Sequence, residues 1–284
     1  MPKLRVLSFH QDNTKKRPND DFYAYLEREQ VFAVADGVSR TWKHGDPEEL
    51  RSAKPAAASF CEELTRRLAE KKPVTEAFAR ANAAVKQVNL CVGITSQTVD
   101  YLVRDYLCCV GVGVKLEGNR LWYGCLGDSR VMVCGSDLSI KWMSLDTVEK
   151  PEKFRDQRVL DWDLNEREKW QLWRETLRNP SRRWEMTYGA LTGEEQALEY
   201  LETGSIELAC GDVVLLFSDG VTPFISDPRS SFLAQIRDLL QDRADRDVCE
   251  ARIKEYLKAA TESLALQKVE NLNDDRTFIA LSLV

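Results

Sequence analysis

The chain has 284 residues, 43% of them apolar and 30% charged, with a net charge of −6. That content is enough for a large core, in two domains or one large layered domain. The acidic balance gives no support for a nucleic-acid groove, which would need a concentrated basic face. No apolar run approaches the roughly 18–20 residues of a membrane span. The start, MPKLRVLSFHQDN, lacks a signal peptide's long apolar stretch and small-residue cleavage site. The eight cysteines (Cys61, Cys91, Cys108, Cys109, Cys125, Cys134, Cys210 and Cys249) form no C-x-x-C pair, and most lie in apolar runs. They are expected to be buried, reduced thiols of a cytoplasmic protein.

In chain order, residues 3–9, 22–26 and 31–35 read as short strands, followed by a turn-rich loop at 39–52. Apolar residues at three- and four-residue steps predict amphipathic helices at 55–68 and 74–91. The period then shortens. Residues 106–116, 119–127 and 129–135 read as a meander of antiparallel strands. Residues 146–186 are charged and rich in tryptophan, with a helix expected near 165–178. Strands at 206–209 and 213–217, helices at 229–241 and 246–264, and a last strand, RTFIALSLV, complete the chain. Strands come in blocks with helix pairs between them, which favours antiparallel sheets covered by helices over a doubly wound parallel sheet. The expectation is one domain over 1–284 with a variable insert at about 146–186.

Several strands end on, or begin just after, an acid. Asp20 and Asp21 stand in RPNDDFYAY, Asp36 ends VFAVADG, Asp128 lies in LGDSR, Asp219 ends VVLLFSDG, and Asp274 and Asp275 precede the last strand. Taken singly, each is ordinary turn chemistry, since Asp and Gly favour tight turns. Taken together they are not, because ADG and SDG join no obvious hairpin and no matching set of Lys or Arg accompanies them. Carboxylates held at strand ends need a counter-charge to converge, and a hard divalent cation supplies one through oxygen ligands. A glycine beside such an acid lets its backbone carbonyl approach the ion as well.

Other chemistries lack their residues. His10 and His44 are the only histidines, too few for a histidine zinc site, and read as surface or loop residues. G-x-S-x-G is absent, as is the G-x-x-x-x-G-K-[ST] phosphate loop. Asp161-Trp162-Asp163-Leu164-Asn165 mimics the start of an EF-hand loop but fails at the two later positions, occupied by Glu166 and Leu172.

In order and rough spacing, RPNDDFYAY, VFAVADG, LWYGCLGDSR, GDVVLLFSDG and NDDRTFIAL resemble the metal-dependent serine/threonine protein phosphatases of type 2C, the PPM family, in their bacterial form. YGALTGEE adds to the likeness. The resemblance implies an α+β, four-layer αββα sandwich: two antiparallel sheets flanked by antiparallel helix pairs, with a metal centre at one edge. It implies two Mn²⁺ or Mg²⁺ ions, with Asp36 bridging both, the Gly37 carbonyl on one, and Asp219 and Asp274 completing the other site. Asp21 or Asp20 would contribute directly or through water, and Asp128 would belong to a third, looser ion. The implied reaction is hydrolysis of phosphoserine and phosphothreonine in proteins by a metal-bridging water. The implied setting is a cytoplasmic monomer opposing a cognate kinase, with no nucleic-acid or membrane partner.

The chain also departs from the family's pattern. Lys16 stands where the family carries its phosphate-binding arginine, with Arg17 one step away, so these two are the candidate phosphate binders. Val38-Ser39-Arg40-Thr41-Trp42 replaces glycine-rich sequence, LCCVGVGV lacks the usual Gly-Thr, and SLDTVEKPEKF lacks the usual Asp-His. Trp162, Trp170, Trp173 and Trp184 of the insert form either a partner or substrate surface or a packing face. The departures keep two alternatives open: a catalytically idle binding or regulatory module, and a phosphohydrolase of small molecules.

Overall fold

The computed structural model describes residues 4–13, 19–38, 52–226, 231–242, 245–267, 269 and 272–283. Among them, two five-stranded sheets are built wholly from antiparallel pairs. The first runs β1 (Leu4–Gln11), β10 (Arg276–Leu283), β9 (Val213–Phe217), β6 (Arg130–Cys134), β7 (Ile140–Met143). The second runs β2 (Phe22–Leu26), β3 (Val31–Gly37), β4 (Cys109–Glu117), β5 (Arg120–Leu126), β8 (Glu202–Glu207).

The two-residue period of the strands sorts side chains into layers. Phe32, Val34, Val112 and Val114 of the second sheet meet Val131, Val133, Val214, Leu216, Ile279 and Leu281 of the first, forming a core between the sheets. The alternate residues of β3, namely Val31, Ala33 and Ala35, face the other way, against Phe60, Leu64, Phe78 and Val85 of helices α1 (Lys54–Ala69) and α2 (Val74–Cys91). On the far side, α6 (Phe232–Gln241) and α7 (Arg246–Leu266) lay Phe232, Ile236, Ile253 and Leu257 over Phe9, Leu215, Phe217 and Phe278. The result is the four-layer αββα arrangement.

Small residues on the sheet let the helices seat. A Cβ on Gly111 would lie 2.5 Å from the Phe60 ring, one on Gly113 2.3 Å from Leu64, and one on Gly124 2.5 Å from Phe78. Each of those three large side chains is fully buried, worth roughly 1.5–3 kcal/mol apiece in apolar transfer. Pro55 sits in the first turn of α1, where its missing N–H costs nothing. The helix stops before Lys71, which takes a left-handed conformation (φ 61°), and Pro73, which has no N–H to continue the ladder.

The insert differs from the single helix expected at 165–178. It holds α3 (Glu149–Asp161), α4 (Glu166–Gln171) and a π-helical turn, Leu172–Leu177. Asn165 starts α4 by a reciprocal cap: its side chain accepts from Glu168 N at 3.1 Å, and Glu168 Oε2 accepts from Asn165 N at 2.9 Å. The strand expected at 206–209 is β8, an edge strand whose half-buried positions include Glu202 and Gly204, which hide its alternation. A short helix, α5 (Thr222–Ser226), follows the SDG segment. Two cysteines correct the burial expectation: all eight thiols are free, but Cys91, at the end of α2, and Cys210, in the turn before β9, are exposed. Among the described residues no helix is long and apolar enough to cross a membrane.

Candidate metal centre

The acids gather where strands of both sheets end. Asp36 is the penultimate residue of β3, Asp219 lies two residues beyond β9, Asp128 lies between β5 and β6, and Asp274 two residues before β10. The Asp36 and Asp219 carboxyls are close neighbours. Burial first, then the charges of Asp21, Asp219 and Asp128, push the Asp36 carboxyl well above the usual range. Burial and the neighbouring Asp274 push Asp219 up to about 6. Burial and Asp219 raise Asp128 in the same way. None of these carboxylates makes an ion pair with a Lys, Arg or His among the described residues.

The two acids of the NDD motif are separated in role. Asp21 is almost fully buried and accepts a 2.7 Å hydrogen bond from Ser218 Oγ, and its neighbours include Asp219 and Asp275. Asp20 turns the other way. Its Oδ1 accepts from Ser52 Oγ and from Ala53 N (2.9 Å), so it caps the start of α1. Burial raises the Asp20 carboxyl to about 6.

Both glycines that follow an acid are fixed by close backbone approach. A Cβ on Gly37 would lie 2.4 Å from the Asp20 carbonyl oxygen, to which Gly37 N donates at 3.2 Å. A Cβ on Gly220 would lie 1.9 Å from the Asp275 carbonyl oxygen and 3.4 Å from Asp274 Cβ. Asp275 holds the neighbouring loop: Oδ1 accepts from Asn13 N and Nδ2, both 2.8 Å, and Oδ2 from Asp20 N at 3.0 Å.

The structure brings together Asp36, Asp219, Asp21, Asp128 and Asp274 and gives Asp20 to a helix cap. Lys16, Arg17, His44 and the segment Ser39–Trp42 lie outside the described residues. Sequence reasoning missed Ser218, Asp146 and Glu152. Asp146 Oδ1 accepts from Val148 N (2.9 Å) and Glu149 N (3.0 Å) at the start of α3. From α3, the charge of Glu152 reaches both Asp128 and Asp219. Ser218 was detectable as the polar residue closing an apolar strand, whereas Asp146 and Glu152 lie in a segment with no apolar period to place them. His10 is not the loop histidine expected. It sits in β1 and is part-buried, with Nδ1 2.8 Å from Thr277 Oγ1 and Nε2 2.8 Å from Asn19 Nδ2. Because the amide donates to Nε2, the ring proton is on Nδ1; burial and nearby Lys54 lower its pKa.

The donor chemistry fits a hard divalent cation: clustered carboxylate oxygens, desolvated and unpaired with base. The geometry is not closed. Among the described residues no group of three or more His, Cys, Asp or Glu side chains is arranged to hold a metal ion as it stands.

No family model and no curated protein matches the chain. Solved structures do match it over nearly its full length. The catalytic domain of the serine/threonine protein phosphatase PstP in complex with two manganese ions is 19% identical, with a TM-score of 0.59 over 99% of this chain and 98% of that one. The serine/threonine phosphatase Stp1 from Staphylococcus aureus is 17% identical, TM-score 0.55, over 100% and 95%. RsbX in complex with magnesium is 14% identical, TM-score 0.52, over 99% and 96%. The chain has the fold of these three structures.

Proposed function

We propose that the chain hydrolyses phosphoserine and phosphothreonine in proteins, with Mn²⁺ or Mg²⁺ held by Asp36, Asp219, Asp274 and Asp21. In this reading the Gly37 carbonyl is a further ligand, Asp128 belongs to a third ion, and Lys16 or Arg17 receives the phosphate. A bound pair of such ions supplies an activated water and neutralises charge on the phosphoryl oxygens. The chain's own residues position the donors: Ser218 fixes one oxygen of Asp21, and the Asp20 cap ties the NDD segment to α1. Gly220 allows the backbone after Asp219 to approach the Asp275 carbonyl, next to Asp274. We take the chain to be one phosphatase-like domain, monomeric and cytoplasmic, opposing a kinase.

The observation that carries this reading is the convergence of desolvated acids from distant segments with no basic partner among the described residues, on a fold shared with metal-bound phosphatases. Its test is turnover of p-nitrophenyl phosphate and of a phosphothreonine peptide with Mn²⁺ added to chelator-treated protein. Metal-dependent turnover of the peptide is expected. Metal binding without turnover would assign the chain to an idle binding module, and no calorimetric metal binding would overturn the centre itself.

A further inference from the structure

At the opposite end of the second sheet the packing leaves a cavity of about 400 Å³. Its floor follows from the register of β4 and β5. Gly113 pairs with Gly124, and the two lie under Leu64 and Phe78 of the helix pair. The next outward-facing pair along the strands is Lys115 with Trp122. Because α2 begins at Val74, no helix covers that pair; the turn Lys71–Pro73 and the first residues of α2, Val74 and Thr75, form the wall instead. The cavity lies six residues along β4 from Cys109, the partner of Gly37, hence roughly 20 Å from the acidic centre at about 3.3 Å per residue.

Its lining chemistry is the reverse of that centre. Three lysines, Lys71, Lys72 and Lys115, face one carboxylate, Glu117, in a chain of net charge −6. Glu117 is occupied in holding the floor: its Oε1 takes Lys115 Nζ at 2.6 Å and its Oε2 takes Trp122 Nε1 at 3.1 Å. The indole is therefore anchored by its edge and 37% exposed. Lys71 makes no ion pair among the described residues. Lys72 is paired only with Glu76, at 3.0 Å, with both side chains about 40% exposed, a contact that water screens and an incoming anion can replace.

We propose that this cavity binds a planar aromatic ligand carrying an anionic group, the chemistry of a nucleoside monophosphate. The ring stacks on the Trp122 indole and the phosphate takes Lys71 and Lys72. The volume suits a ligand of that size, and a stacked ring beside ammonium groups is how such molecules are commonly gripped. The site is independent of the proposed phosphatase reaction.

The test is calorimetric titration of the intact protein with AMP in the presence of EDTA, which removes any ion from the acidic centre, with adenosine and inorganic phosphate as separate arms. Saturable AMP binding is expected, with each half-ligand at least about tenfold weaker. Trp122→Ala and Lys71→Glu should each weaken AMP about tenfold while leaving Mn²⁺-dependent turnover of p-nitrophenyl phosphate unchanged. Both residues are exposed, so neither change opens the core. No saturable AMP heat, phosphate binding as tightly as AMP, or unchanged affinity in both variants would overturn the proposal.

Discussion

Asp219→Asn should stabilise the metal-free protein at neutral pH and abolish its stabilisation by Mn²⁺. Asp219 is desolvated and lies beside Asp274, and its carboxyl is raised from 3.8 to about 6. A carboxyl raised on folding binds its proton more tightly in the native state. Its stabilising effect is therefore complete below the unfolded value near 4 and is lost as pH rises through 6. About two pKa units correspond to roughly 3 kcal/mol, discounted here to about 1–2 kcal/mol because the side chain is only half-buried. Asparagine cannot ionise and escapes that cost. In EDTA at pH 7 the variant should resist urea by about 1–2 kcal/mol more than the parent, and the gap should close near pH 4. At a hundredfold excess of Mn²⁺ over Kd the parent should gain about 2.7 kcal/mol by linkage, whereas the variant should gain little. A variant less stable than the parent in EDTA at pH 7, or one protected by Mn²⁺ as strongly as the parent, would refute the reasoning.

Two further substitutions test the supports of the site. Gly220→Ala places a Cβ 1.9 Å from the Asp275 carbonyl, a backbone atom that cannot swing aside. It should cost about 1–3 kcal/mol together with turnover, whereas Gly118→Ala, with nothing within 4 Å of its Cβ, should cost only about 1 kcal/mol for its positive φ. Equal losses in chemical denaturation would contradict the steric account. Arg178→Met removes the buried partner of Asp105, bonded at 2.6 and 3.1 Å. Asp105 keeps Arg174 Nε at 3.4 Å and Tyr106 N at 2.8 Å, so the loss should fall near the lower end of the 3–5 kcal/mol expected for a broken buried pair. A urea midpoint shift equivalent to less than about 1 kcal/mol would show that the pair does not hold the insert.

The elements legible in the sequence are those whose burial forces a period. VVLLF is buried at every position, and the spacing of Phe60, Leu64 and Leu68 leaves α1 one apolar face. β7 was missed because Ile140 and Lys141 are exposed and Trp142 and Met143 only half-buried. α3 was missed because Pro151 is its one buried residue among those described. In the site, acids at strand termini could be read because each follows or precedes an apolar run. What could not be read is direction: nothing in NDD says that Asp20 turns to α1 while Asp21 turns to Ser218. Likewise nothing local places His10 against Thr277, 267 residues away. The aromatic insert divides in the same way. Trp173 is buried and stacks on Tyr188 at 4.2 Å, while Trp162 and Trp184 remain exposed, so packing and surface roles fall on different tryptophans of one segment.

The convergence of the acids follows from antiparallel pairing itself. Phe217 pairs with Phe278, so the end of β9 and the start of β10 share an edge, bringing Asp219 to Asp274. Ala35 pairs with Phe22, so the end of β3 and the start of β2 share one, bringing Asp36 to Asp21. Leu126 pairs with Gly111, which puts the exit of β5, and with it Asp128, at that same end. Once both sheets stack with these edges together, an acid after one strand and an acid before its neighbour must meet. The encounter opposes folding at neutral pH, since the carboxyls of Asp21, Asp36, Asp128 and Asp219 are raised by their own desolvation and by neighbouring acids. A fold gains nothing from such a cluster when leucines would pack there instead. Such a cluster beside strands otherwise optimised for burial is what the proposed metal centre requires, at a cost to the scaffold.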